Sequence, residues 1–417
     1  MRAFFLAMLP ATLILIAAPF LIPLLPDETP RRTPSVDASA IDHPKLSRSA
    51  REILSLSDQH QHPSRRTPVD RPGMRFDFVL PEWMAHEIRE GRKHKLRDNP
   101  WMFRWADLEL AIDGGPEFWV LARVRGSASA KVNRKCLNLK LLSSQRFTEE
   151  IRLRRLFLIN LYADKLGFEN RLCYGLMNEL ELFPPYQQLC VVRFNGESQG
   201  LYLAVERPED AIRRVYPDTV SVDRRRSDHF ELKWKKHDFD NVVQLDLLAA
   251  AAEIEDDEEQ LARYLEVFDL DQYLRWQAFN CLIENGDTMD ELFYYQRRDE
   301  NGDVGRIQLM SWDFDDIQNE PSHPKDVHED PLLYAAEGRI DLALIENPLM
   351  YARYRSVMRA LYLDRFTEEH LHRAIEAVRE ELDGIDTRVA KRAKEMAQLE
   401  ERLLERRREL LTLLEDD

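Results

Sequence analysis

The chain has 417 residues, 44% of them hydrophobic, enough to bury a sizeable core in one large or two modest domains. Its net charge of -16 argues against a nucleic-acid partner, which would call for a basic surface. Cys136, Cys173, Cys190 and Cys281 are widely spaced with no CxxC pair, so buried free thiols are expected rather than a zinc site or a disulfide framework.

Ala3 to Leu25 is almost wholly apolar and is preceded by Arg2. About 20 apolar residues span a bilayer. The run is longer than the apolar core of a signal peptide, so an uncleaved signal anchor is expected, with a cleaved signal peptide as the alternative. Asp27 and Glu28 after the span favour export of the main body to the cell envelope. Residues 26–73, rich in Pro, Ser, Arg and His, read as a flexible tether.

The folded body begins with an alternating strand at Arg75–Leu80, and a charged helix is expected over Glu82 to Lys95. Strands at Ala106–Ile112 and Phe118–Val124 flank Asp113-Gly114-Gly115, a hairpin signal. A loop, Arg125 to Arg134, leads to a strand at Cys136–Leu142. Glu149 to Leu166 has helical spacing at Ile151, Leu153, Leu156, Leu158, Ile159 and Leu161. Strands at Gln188–Phe194 and Gly200–Val205 are joined through Asn195-Gly196-Glu197, in a loop read as longer than two residues. Val243 to Leu282 is helical, and strands return at Leu292–Arg297 and Arg306–Met310 around a polar turn at Asp299 to Asp303.

The run from Leu371 to Met396 is helical, capped by Thr367 and interrupted at Gly384; it either forms a coiled coil or packs back on the body. This order gives an α+β body. The expected divisions are 1–25 anchor or signal peptide, 26–73 tether, 74–365 main domain and 366–417 C-terminal helical segment. The basic runs Arg152-Arg154-Arg155 and Arg224-Arg225-Arg226 read as solvated faces.

The most informative segment is Met310-Ser311-Trp312-Asp313-Phe314-Asp315-Asp316. Carboxylates are rarely buried unless paired or bound to metal. On an extended chain Asp313 and Asp315 project to one face, where two hard oxygen ligands can hold a divalent cation. Asn285-Gly286-Asp287 supplies a further acid upstream. Phosphoryl transfer needs this inventory: cations on the phosphates, metal, and a carboxylate to orient the acceptor hydroxyl. Neither GxGxxG nor a Walker A lysine is present.

Several segments in order resemble the CotH family of spore-coat-type atypical protein kinases. They are Arg125-Gly126-Ser127-Ala128-Ser129 with Lys135 through Lys140, Val192 through Glu206, Asn285-Gly286-Asp287 with Phe293-Tyr294-Tyr295, and Trp312-Asp313-Phe314-Asp315. They cover about residues 105 to 320. The resemblance implies an atypical protein-kinase-like fold with an antiparallel sheet, and ATP-dependent transfer of phosphate to protein Ser or Thr with Mg2+ or Mn2+.

Under that resemblance Asp287 is the catalytic aspartate, and Asp313 binds metal with Asp315 as the second candidate. Lys135 or Lys140 contacts phosphate, Arg125 and Ser127 lie near the phosphates, and Glu206 matches a recurrent acid. The expected partners are a protein substrate or an envelope or coat protein, with the membrane reached through the N-terminal segment and no nucleic acid. The sequence departs from the kinase pattern at Leu292, five residues after Asp287, where a metal-binding Asn is expected. That departure opens the alternative of a catalytically inactive scaffold.

Overall fold

A computed structural model of the chain describes residues 74–82, 84–85, 105–126, 134–226, 229–237, 239, 242–288, 292–318, 330–334, 339–385 and 389–415. The anchor and tether expected over residues 1–73, Ser127, and most of the helix expected over Glu82 to Lys95 lie outside them. Among the described residues no helix is long and apolar enough to cross a membrane.

Seven strands close into a barrel: β1 (Met74–Val79), β2 (Ala106–Ile112), β3 (Phe118–Val124), β4 (Leu137–Arg146), β5 (Arg152–Ile159), β6 (Gln187–Phe194) and β7 (Glu197–Glu206). The strand order is β1-β2-β3-β4-β5-β7-β6, closed by a parallel pairing of β1 with β6. Strand alternation explains the interior. Phe76, Phe78, Leu108, Leu110, Val120, Leu139, Leu156, Leu158 and Val192 are all buried there, while their neighbours in sequence face outward. The Asn195-Gly196 turn is tighter than expected, with only these two residues between β6 and β7. Both have positive φ, 50° and 81°, the conformation of a two-residue hairpin turn.

One expected helix is a strand. Glu149 to Leu166 contains β5, because Leu153, Leu156 and Leu158 fill the barrel while Arg152 and Arg154 stay exposed. The helix comes later, as α1 (Glu169–Glu179) between β5 and β6. The far face of β6 and β7, with Leu189, Leu201, Leu203 and Val205, joins a second and larger core that includes Leu172 and Leu176 of α1.

After α2 (Pro208–Val215), β8 (Thr219–Arg226) and β9 (His229–Lys235) form a four-stranded antiparallel sheet with β10 (Leu292–Arg297) and β11 (Gln308–Ser311), ordered β11-β10-β8-β9. The helical stretch from Val243 to Leu282 is three helices: α3 (Val242–Ala251), α4 (Asp257–Val267) and α5 (Leu270–Ile283). Helices α6 (Arg339–Glu346), α7 (Pro348–Asp364), α8 (Glu368–Asp383) and α9 (Val389–Glu415) follow. Thr367 caps α8, its hydroxyl accepting from the His370 N–H. The C-terminal helices pack back on the body: Leu371, Ile375, Val378, Leu399 and Leu403 belong to the same core as α5 and α7. The body is therefore α+β, and all four cysteines are free and buried.

Candidate functional site

β11 ends at Ser311, so the acidic run leaves the sheet rather than standing in it. The expectation that Asp313 and Asp315 project from an extended strand is corrected here, because Asp313 has φ +55°. That left-handed conformation is tolerated best by Asp and Asn among side-chain-bearing residues. Two side chains one turn apart on α1 hold it. The Asp313 N–H donates to the Tyr174 hydroxyl at 3.1 Å, and the Phe314 N–H donates to Asn170 Oδ1 at 2.8 Å. Around them Tyr174 stacks on Phe183 with ring centroids 3.8 Å apart and meets Trp312 and Phe314. An aromatic box thus fixes the loop.

The Asp287 segment is laced to the same loop. Asn285 pairs antiparallel with Ile317, the Gly286 N–H donates to the Asp316 carbonyl at 3.0 Å, and the Gln318 N–H donates to the Ile283 carbonyl at 3.0 Å. Asp287, Asp313 and Asp315 lie within electrostatic reach of one another. Burial is the main cause that raises the Asp313 carboxyl to about 6, against the opposing pull of Arg125 and Arg224; Asp287 and Asp164 push it further up. Asp315 is raised to about 8, first by burial and then by Asp313, Asp164, Asp316 and Asp287. The loop gathers several carboxylates in a buried setting.

Arginines stand against these carboxylates. The Arg125 guanidinium lies 3.8 Å from the Phe157 ring centroid and 6.0 Å from that of Trp312. Arg207 also faces Phe157, at 5.7 Å, and Arg224 faces Phe293, at 5.7 Å. Phe157 and Phe293 both pack edge-on against Trp312. The Arg224-Arg225-Arg226 run is therefore not a solvated face throughout. Arg224 acts on Asp313, and Arg225 is buried beside Asp341.

The other sequence candidates separate. Lys135 is fully buried beside Cys136, whose carbonyl accepts from the Arg125 N–H at 3.0 Å. Lys140 is exposed on β4, opposite Arg155. Glu206 is buried and committed to structure, accepting from Arg214 at 2.6 Å and from the Tyr186 N–H at 3.2 Å. Leu292 is fully buried in β10, paired with Ser311, so no oxygen ligand comes from that position.

Sequence reading missed Asp164 and Glu169 altogether. Asp164 accepts from the N–H groups of Gly167, Phe168, Glu169 and Asn170 at 2.5 to 3.1 Å, which closes the N-terminus of the helix that carries Asn170 and Tyr174. Burial pushes Asp164 up against the pull of these donors. Glu169 is raised to about 8, by burial first and by the Asp164 charge and hydrogen bond next.

The unfolded glutamate titrates at the ordinary 4.5, so between 4.5 and about 8 the folded state holds a proton that the unfolded chain has released. Stability from this group is complete below that window and falls as pH rises through it, by about 1.4 kcal/mol per pH unit. Urea unfolding without metal at about pH 5 and about pH 8 should show a shallower loss for Glu169→Gln than for the native chain. Equal slopes would mean that Glu169 carries no proton at neutral pH.

Among the described residues no three His, Cys, Asp or Glu side chains form a ready metal cage. The donor set nevertheless fits a hard divalent cation that keeps water or phosphate oxygens in its shell, as Mg2+ does. Asp313 and Asp315 are carboxylates two residues apart, held by burial and mutual repulsion at raised pKa.

Residues 122–407 match the family described as CotH kinase protein. Inner spore coat protein H of Bacillus subtilis (strain 168) is 19% identical over 247 residues, which are 53% of this chain and 66% of that protein. The chain thus spans just under two thirds of that relative's length.

Proposed function

Because the chain belongs to the CotH kinase protein family, we propose that it transfers the γ-phosphoryl group of ATP to a Ser or Thr hydroxyl of a protein. The observation that carries this reading is the convergence of Asp287 with Asp313 and Asp315 from two laced segments, facing Arg125 and Arg224. Asp287 orients the acceptor hydroxyl and takes its proton as the hydroxyl oxygen bonds to the γ-phosphorus; the bond from that phosphorus to the bridging oxygen breaks and ADP leaves. Arg125 and Arg224, held on aromatic faces and acting on Asp313, supply fixed positive charge for the phosphates. Between the two lysines, buried Lys135 next to Arg125 suits phosphate contact better than exposed Lys140. A divalent cation, Mg2+ or Mn2+, would be held by Asp313 and Asp315 and would neutralise charge on the phosphates.

The kinase-like fold, the membrane anchor at residues 1–25 and an extracytoplasmic place in an envelope or coat assembly belong to the same proposal. The apolar N-terminal run supports the anchor, the relative's name supports the envelope or coat association, and the family's description supports the kinase-like fold. A second reading, an inactive scaffold that binds an envelope or coat partner, is favoured by Leu292, which puts an apolar side chain where a metal-binding amide is expected.

Thermal unfolding of the full chain with ATP and Mg2+ or Mn2+ separates the two. A ligand at about 100 times its Kd adds about 2.7 kcal/mol to stability, a shift of several degrees. No shift with millimolar nucleotide and metal sinks the transferase and leaves the scaffold. Labelled phosphate from ATP then distinguishes transfer from binding.

A further inference from the structure

The outer face of the barrel at β4 and β5 carries a basic patch beside the candidate site. The register sets Lys140 directly opposite Arg155 and Arg146 opposite Arg152. Arg154 is exposed between them. Like charges facing each other across an antiparallel ladder destabilise it. In a chain of net charge -16 this grouping runs against the average surface.

The cations are poorly compensated. Arg155 pairs with Asp210. Among the described residues Arg154 and Arg146 reach only backbone carbonyls, of Leu142 at 3.3 Å and Glu149 at 3.4 Å. Lys140 and Arg152 have no side-chain partner among the described residues. The neighbouring acids Glu149 and Glu150 sit exposed in the turn between the strands, at one end of the patch. Apolar surface adjoins it: Leu142 is 55% exposed, and Trp119 on the next strand is 53% exposed.

The patch continues into the site. Arg155 and Phe157 are both half-buried while Leu156 and Leu158 are buried, so the two share the outer face of β5. Phe157 is the ring beneath Arg125 and against Trp312, next to Asp313.

We propose that this face docks an acidic, partly apolar segment of the protein substrate and so leads a Ser or Thr flanked by Glu or Asp toward Asp287; the substrate class rests on the phosphotransferase reading above. Arginine forks match carboxylates, and Leu142 and Trp119 offer contact to apolar side chains. The barrel is closed, so recognition is by side chains rather than by strand addition. A nucleic acid would bring dense uniform negative charge toward a protein that is itself strongly acidic.

The test is fluorescence anisotropy of the full chain with a labelled peptide of Glu, Ser and Leu, without nucleotide. Its twin peptide has Gln in place of every Glu. The acidic peptide should bind about 10-fold tighter than the Gln peptide and weaken as salt rises. The Arg152→Glu and Arg154→Glu double variant, checked for an unchanged melting curve, should lose that preference, and Asp313→Asn should keep it. Equal binding of the two peptides overturns the proposal. So does tighter binding of a single-stranded oligonucleotide or of phosphatidylserine vesicles that displaces the peptide. Because no nucleotide is present, docking can stand while transfer fails, so the two readings fail separately.

Discussion

Asp313→Asn should abolish phosphoryl transfer while making the metal-free protein more stable. Loss of a metal-binding carboxylate should lower the rate by at least about 1,000-fold, the scale of removing a group that stabilises transition-state charge. Asn is the right replacement because it tolerates the left-handed backbone at this position, where φ is +55°. Stability should move the other way. The carboxyl is raised from 3.8 to about 6 by burial and neighbouring acids, so ionised Asp313 strains the folded state near pH 8. Removing that charge should add on the order of 2 kcal/mol there. Initial rates with labelled ATP and urea unfolding without metal give the two readouts. Retained transfer in the variant would remove Asp313 from the site.

Glu381→Ala should cost more stability than any surface change. Glu381, on α8, is buried and makes a 2.7 Å ion pair with buried Arg171 of α1, while its other oxygen accepts from the Leu189 N–H of β6 at 2.6 Å. One carboxylate therefore ties the C-terminal helices to the barrel and to the helix that holds the Asp313 loop. Truncating it strands a buried guanidinium and an N–H, at a cost of about 3–5 kcal/mol. Replacing both partners, Arg171→Met with Glu381→Leu, should recover most of that loss, because no unpaired charge remains. Urea denaturation of the two variants checks this, and a double variant as unstable as Glu381→Ala would rule out the charge as the cause.

How far the sequence reached is clearest at particular residues. Strict alternation made β1, β2 and β3 legible to within a residue or so, since one face fills the barrel and the other does not. The same rule failed at β5: Ile151, Leu153, Leu156 and Leu158 fit a helical stripe as well as a strand interrupted by the register shift between Lys140 and Gln145 on its partner. β8 and β9 went unread because the arginine run hid Val220 and Val222, both fully buried.

In the site, Asp287, Asp313 and Asp315 were visible because they lie close in sequence and among aromatics. Asp164, Asn170 and Tyr174 reach the same loop from well over a hundred residues away, and each is locally an ordinary residue. Arg224 was visible only as charge; its place beside Asp313 depends on β8 pairing with β10.

The parallel seam of the barrel has a consequence for how the chain folds. Met74 to Phe78 pair with Cys190 to Phe194, while the family match begins inside β3, at residue 122. A fragment cut at that boundary would keep the acidic loop yet lose β1 and β2, leaving unpaired backbone along β6 and at the start of the sheet, a template for aggregation. In the intact chain the seam joins segments on the order of 100 residues apart, so it closes late and slowly relative to the hairpins it completes. Strands β1 and β2 thus act as a latch, and until it engages the nascent barrel presents open edges to its neighbours.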